Sequence, residues 1–337
     1  MSDAVPDFTP VSLLTGFLGS GKTTLLQRVL ADPAFADTAV VINEFGEIGL
    51  DHLLVESVTD DVVVLPSGCL CCALQGELAT TLRDLQSRRT RGRVQPFRRV
   101  IVESTGLADP YPVVSTLKAD PVLRHHFRLG AVVTTVDAVN GAETLDRHVE
   151  SIRQAAIADT LILTKTDLAD AARVDGLSAR LRALNPTAAI RRASDEDLAL
   201  DRTIDGIDSA NGWFKATAEP VEASASEVRP HRSDIRSISL TIDTPVDWTA
   251  FGIWLSMLIN RHGSRVLRVK GILSLIDEPN PVAIHGVQHL VHPPRHMRGW
   301  PDADHRSRLV FIVDGIDPQL LRRSLMASLS LGAGVRA

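Results

Sequence analysis

Six short apolar runs punctuate the first half of the chain: Val11–Leu14, Thr38–Ile42, Val62–Leu65, Val100–Val102, Ala131–Val136 and Leu161–Leu163. They are rich in β-branched residues and nearly free of polar positions, as expected of strands buried on both faces. Stretches with the spacing of amphipathic helices separate them. Alternation of this kind predicts an α/β fold, a doubly wound, mainly parallel sheet wrapped by helices.

The rhythm stops between Lys215 and Ser233, where KATAEPVEASASEVRPHRS carries no apolar period and reads as a linker. Beyond it the grammar changes. Ile238, Leu240 and Ile242 alternate like a half-buried strand, and Trp248, Phe251, Leu255, Leu258 and Ile259 recur at helical spacing, a stripe expected in a core. Val266–Ile276, Ala283–Val291 and Arg308–Val313 read as three more strands, followed by a helix over Pro318–Leu329. The expected organisation is a P-loop-type domain over residues 1–214, a linker over 215–233 and a smaller α+β domain with an antiparallel sheet over 234–337. No internal repeat is evident.

At 337 residues the chain is long enough for two cores. Its net charge of −5, from 36 basic and 41 acidic residues, gives no basic footprint for a nucleic-acid backbone. No apolar run approaches the roughly 20 residues that span a bilayer, and the first residues lack the basic-then-apolar order of a signal peptide. The expected compartment is the cytoplasm, with neither membrane nor nucleic acid as partner. Only three cysteines occur, and all fall within CLCC as Cys69, Cys71 and Cys72. Three adjacent thiols are not a disulfide framework.

Residues 16–23 read GFLGSGKT, which satisfies G-x-x-x-x-G-K-[ST] between an apolar strand and a helical pattern. Such a loop turns successive backbone N–H groups onto phosphates at a helix N-terminus. Gly16, Gly19, Ser20, Gly21, Lys22, Thr23 and Thr24 are the expected phosphate contacts. Lys22 would reach the β and γ phosphates, and the Thr23 hydroxyl would ligate Mg²⁺. Glu103, at the end of the run Val100–Val102, is placed to hold Mg²⁺ or to position the attacking water, and the Gly106 N–H to meet a γ-phosphate. TKTD at 164–167 occupies the place where GTPases carry Asn-Lys-x-Asp. Asp167 would accept the ring N–H and exocyclic amine of guanine, a donor pair adenine lacks, beside Lys165. Thr164 stands where that pattern has Asn, which leaves the loop-bracing role of the amide without an obvious substitute.

CLCC follows Val62–Leu65 through Pro66, Ser67 and Gly68, and a loop there can fold two or three thiolates onto one soft ion. Zinc is the default, with cobalt, nickel or iron open, and Glu44 and Glu47 of NEFGEIGLD could add an oxygen ligand. Small buried hydrophobes and a redox dithiol are the competing readings. A kinase or other ATP-driven transferase would use the same P-loop.

GFLGSGKTT, NEFGEIGLD, GCLCC, ESTGLADP and TKTD, in that order, resemble the CobW family of P-loop GTPase metal chaperones, and KGIL, GVQHL and the terminal VFI resemble that family's C-terminal domain. The resemblance covers nearly the whole chain. It implies a slow GTPase using GTP and Mg²⁺ that binds Zn²⁺ or Co²⁺ through Cys69, Cys71 and Cys72, with Glu47 beside them, and delivers the metal to a client metalloprotein in a nucleotide-dependent way. Two departures are visible: Ile42 stands where some relatives have a further acidic ligand, and the His-rich tract of many members is missing. The sequence names no client, and a homodimer stays open. His285, His289, His292 and His296 read as surface or packing residues before they read as a second metal site.

Overall fold

The computed structural model describes residues 8–42, 62–64, 72–195, 198–204 and 234–334. Contacts divide the chain into two units, Met1–Ser178 with Ala188–Asn211, and Ala179–Thr187 with Gly212–Ala337.

In the first unit seven parallel strands follow the order β3-β2-β4-β1-β5-β6-β7. They are β1 (Thr9–Gly16), β2 (Thr38–Ile42), β3 (Val62–Val64), β4 (Arg99–Glu103), β5 (Phe127–Asp137), β6 (Thr160–Thr164) and β7 (Ala189–Arg192). Every residue of β2, β4 and β6 is buried, as their unbroken apolar runs predict. Helix α1 (Lys22–Leu30) packs Leu25, Leu26 and Val29 against Leu14, Val40, Ile101, Val133 and Ile162. The other helices that begin in this unit are α2 (Cys72–Thr90), α3 (Tyr111–Ala119), α4 (Leu123–His126), α5 (Gly141–Arg147), α6 (Val149–Ile157), α7 (Ala171–Leu184), which runs on into the residues of the second unit, and α8 (Leu200–Ile204).

Register fixes where the site must be. Leu14 pairs with Glu103, Gly16 with Thr135, and Asp137 with Thr164. The carboxyl ends of β4, β1, β5 and β6 therefore lie side by side, at the edge where open α/β sheets hold ligands. One strand escapes the sequence pattern: β7 is an edge strand, half-buried at Ala189 and Ile190 and exposed at Arg191 and Arg192, so it shows no continuous apolar run.

The second unit is an antiparallel sheet ordered β11-β10-β9-β13-β8, with β12 pairing on β10. Its strands are β8 (Ile235–Ile242), β9 (Val266–Leu273), β10 (Val282–Val287), β11 (Leu290–Val291), β12 (Arg295–His296) and β13 (Ser307–Asp314). Helices α9 (Trp248–His262) and α10 (Pro318–Gly334) complete it, and Phe251, Trp254, Leu255, Phe311, Leu321 and Leu325 share one core. Trp254 packs edge-on to Phe311 and its indole N–H donates to Ser324 Oγ at 3.1 Å.

Three expectations need correction here. Ala283–Val291 is a hairpin and not one strand, because Gln288 takes a left-handed turn (φ 50) between β10 and β11. The strand expected over Val266–Ile276 ends at Leu273, after which Leu275 makes an isolated bridge to Val246. Trp248 is 42% exposed at the start of α9, and Trp254 fills the core in its place.

Candidate functional site

The β1–α1 loop is a phosphate cradle by backbone geometry. Gly16 has φ 144, and a Cβ there would lie 2.3 Å from Thr135 Oγ1 and 2.5 Å from Thr135 O, so only glycine lets the loop leave β1 beside β5. Gly19 and Gly21 also hold positive φ, and Gly21 stands at the N-cap of α1 with no side chain to satisfy the first N–H groups. Those donors stay available for an anion at the positive end of the helix. Lys22 is buried and its ammonium folds back onto the loop, donating to Gly16 O at 3.0 Å and Phe17 O at 3.2 Å. Thr24 lies exposed in the first turn of α1.

Two hydrogen bonds tie this loop to neighbouring strands, and a third ties the end of β1 to the residue after β4. Ser20 Oγ and Thr135 Oγ1 are 2.7 Å apart, Thr164 Oγ1 donates to Ser20 O at 2.7 Å, and Ser104 Oγ donates to Thr15 Oγ1 at 2.8 Å. Thr164, which stands where the GTPase pattern has Asn, thus bonds to the P-loop backbone through its hydroxyl. At the other end of the loop, Thr23 Oγ1 donates to Glu103 Oε1 at 2.9 Å. Hydroxyl and carboxylate meet where β4 ends beside β1, and both offer hard oxygens of the kind Mg²⁺ takes. Gly106 follows on the same loop, and a Cβ there would come within 2.6 Å of Leu18 N.

On the side of β6, Lys165 adopts φ 54 and its ammonium pairs with Asp137 Oδ2 at 2.8 Å. Asp137 also accepts from the N–H groups of Val139 and Asn140 and from the Asn140 amide. Burial acts to raise the Asp137 carboxyl, but the bonds from Lys165, Val139 and Asn140 outweigh it and hold its pKa below the ordinary carboxylate value. Asp167 is exposed on the following turn, open to a ligand.

Of the metal candidates, Glu44, Glu47, Cys69 and Cys71 lie outside the described residues, and Cys72 opens α2. Two of the four histidines come together, the His285 and His292 rings stacking with centroids 4.6 Å apart, while His289 sits in the β10–β11 turn and His296 is exposed on β12. Among the described residues no three His, Cys, Asp or Glu side chains group as a metal site. Among those residues, too, no helix is long and apolar enough to cross a membrane. Sequence reasoning missed Asp137, whose one local signal is a carboxylate at a strand end. It also missed His148, whose ring lies 4.4 Å from that of Phe17 and has no local signal.

A glycine loop between strand and helix, a lysine turned into it and a Thr–Glu pair at its end define a P-loop nucleotide-binding protein. Residues 10–192 match the family described as CobW/HypB/UreG, nucleotide-binding domain, and residues 235–329 match the cobalamin synthesis protein cobW C-terminal domain. The chain belongs to the CobW/HypB/UreG family. It is 34% identical over 309 residues to the zinc chaperone YjiA of Escherichia coli K12, covering 90% of this chain and 93% of that protein. The zinc chaperone CobW of Pseudomonas aeruginosa is 30% identical over 356 residues, covering 95% and 92%. The crystal structure of Zn(II)-bound YjiA GTPase from E. coli superposes with a TM-score of 0.71 at 30% identity, covering 96% of this chain and 99% of that one.

Proposed function

We propose that the protein is a GTPase that binds zinc and hands it to a client metalloprotein in a nucleotide-dependent way. The observation that carries this reading is the assembled β1–β4 end of the sheet, where the Thr23 hydroxyl donates to the Glu103 carboxylate beside a P-loop, on a chain similar along nearly its whole length to zinc chaperones. Lys22 exchanges the carbonyls of Gly16 and Phe17 for phosphate oxygens when GTP binds, so its charge is held in place beforehand and needs little reorganisation. Thr23 and Glu103 would hold Mg²⁺, which would supply positive charge against the β and γ phosphates; of the two roles open to Glu103, its bond to the Thr23 hydroxyl supports the metal shell over the attacking water. The Gly106 N–H meets the γ-phosphate. Asp167 reads guanine, with Lys165 kept alongside by Asp137.

Cys69, Cys71 and Cys72 supply thiolates to the zinc, with Glu47 beside them and Glu44 in the same segment; cobalt is the second metal such a donor set accepts. Coupling between the two sites is reciprocal: whatever factor GTP adds to zinc affinity, zinc adds to GTP affinity. The client contributes the receiving ligands, and assembly as a homodimer is compatible with this scheme. Calorimetric titration of Zn²⁺ into protein loaded with a non-hydrolysable GTP analogue or with GDP tests the reading. Tighter zinc binding in the analogue-loaded form is expected, and equal affinities in both forms overturn the gating.

A further inference from the structure

Gln154, on α6, is 1% exposed and has no part in the chemistry assigned above. Its side-chain nitrogen donates to two backbone oxygens, Gly106 O at 3.1 Å and Ala108 O at 3.1 Å. Both partners are carbonyls, so the NH₂ end of the amide must face them, and both of its hydrogens are used. The preceding residue holds the same loop by a second bond, Arg153 Nη1 to Asp109 Oδ2 at 3.1 Å. At the loop's other end Ser104 N donates to Leu14 O at 3.0 Å, and Ser104 Oγ donates to Thr15 Oγ1 at 2.8 Å. Gly106 lies between these anchors, packed on the P-loop so closely that a Cβ would sit 2.6 Å from Leu18 N and 2.7 Å from Leu18 Cα.

The donor comes from a helix that is itself fixed to the site. Thr134 Oγ1, on β5, donates to Gln154 O at 2.9 Å, and the ring of His148, the residue before α6, lies tilted against Phe17 of the P-loop at 4.4 Å. The amide satisfies two backbone carbonyls that an apolar residue would strand. Gln154 Oε1 is buried and finds no hydrogen-bond donor among the described residues, an orphan that an apolar side chain of similar length would not create. What the amide supplies, and an apolar residue cannot, is a fixed backbone at Gly106 and Ala108.

We propose that Gln154 is a positioning residue for γ-phosphate recognition: its amide sets the Gly106–Ala108 backbone so that the Gly106 N–H is presented at the P-loop before nucleotide binds. The proposal rests on the reading of Gly106 as a γ-phosphate donor. A preset donor discriminates GTP from GDP through one contact that exists only with the γ-phosphate, so its loss shows in one nucleotide and not the other.

The test is Gln154→Met, which keeps length and apolar bulk and deletes the donors, titrated with a non-hydrolysable GTP analogue and with GDP and assayed for GTP hydrolysis. Affinity for the analogue and kcat should each fall by about tenfold while GDP affinity stays within about twofold. Equal losses for both nucleotides, or none, overturn the proposal. The amide resonance and solvent exchange of Gly106 in wild-type protein, loaded with the analogue or with GDP, separate the two readings: if both are the same in the two forms, the assignment of Gly106 fails. A Gly106 amide that differs between the two forms, with an unchanged analogue-to-GDP affinity ratio in Gln154→Met, removes Gln154 alone. Hydrogen exchange on the wild-type protein without nucleotide needs no variant. Peptides spanning 104–109 should already be protected, and complete exchange at the earliest time point overturns the preset loop.

Discussion

Replacing Thr164 with Val keeps the branched shape at the end of β6 and deletes the hydroxyl that braces the P-loop. Thr164 is 7% exposed and its Oγ1 lies 2.7 Å from Ser20 O. A buried hydrogen bond contributes about 0.5–1.5 kcal/mol net, and a carbonyl stranded out of water costs about 1–3 kcal/mol. A methyl carbon also cannot sit where the hydroxyl does, because carbon approaches a carbonyl oxygen only to about 3.3 Å. The valine must therefore push Ser20 and β6 apart by about 0.6 Å, the difference between that limit and the 2.7 Å now present. The combined loss in the nucleotide-free protein should be about 2 kcal/mol for Val and about 1–2 kcal/mol for Ala, which removes the bond without the push, while Ser should retain most of the stability. A loop no longer held against β6 must be ordered by the phosphates, so up to about 2 kcal/mol also leaves nucleotide affinity, a rise in Kd of at most about thirtyfold. Urea melts of the apo protein and GDP titrations of the Ser, Ala and Val variants give both numbers. GDP affinities equal to wild type in all three variants, or a Ser variant as impaired as Val, would refute the brace.

Changing Cys69, Cys71 and Cys72 together to Ser should abolish stoichiometric zinc while leaving GTP binding within about threefold, read by metal analysis and calorimetry; retained zinc would move the site elsewhere. Asp167→Asn should shift preference from GTP toward xanthosine triphosphate, since the partner of the exocyclic amine changes from acceptor to donor, and competition assays showing no shift would remove Asp167 from base recognition. Asp137→Asn probes the depressed carboxyl. A group with lowered folded pKa stabilises above its ordinary value of 3.8 and loses that contribution as pH falls through the lower folded value. The stability difference between wild type and Asp137→Asn should be flat from pH 8 to about 5 and should close in stronger acid, and a gap that widens on acidification would contradict the assignment.

What could be read in the sequence follows from how each element is stabilised. Strands buried largely on both faces are built around continuous apolar runs, so β1, β2, β4, β5 and β6 announce themselves. Strand β7 has only two half-buried positions and therefore no run to detect. The β10–β11 hairpin was hidden for a different reason: Gln288 takes φ 50 where a turn is normally marked by Gly or Asn. Trp248 was misplaced because helical spacing identifies a stripe but does not say which of Trp248 and Trp254 ends it inside; the partner Ser324, 70 residues away, decides in favour of Trp254.

At the site the division is sharper. A phosphate is read by consecutive backbone N–H groups and by a lysine a few residues on, so the chemistry is written within one short segment, and Gly16 to Thr23 show it. Stiffness is supplied from far along the chain. Ser20 is held by Thr135 and Thr164, 115 and 144 residues away, and Gly106 by Gln154, 48 residues away. Serine, threonine and glutamine are ordinary on strands and helices, so none of these supports carries a local signature. The departure from Asn at position 164 illustrates the consequence. Judged by motif alone, Thr164 weakens the case for base recognition, whereas its hydroxyl makes the bond to Ser20 O that a brace requires. A motif position that differs in residue type is therefore to be weighed by the atom it must present and not by its letter.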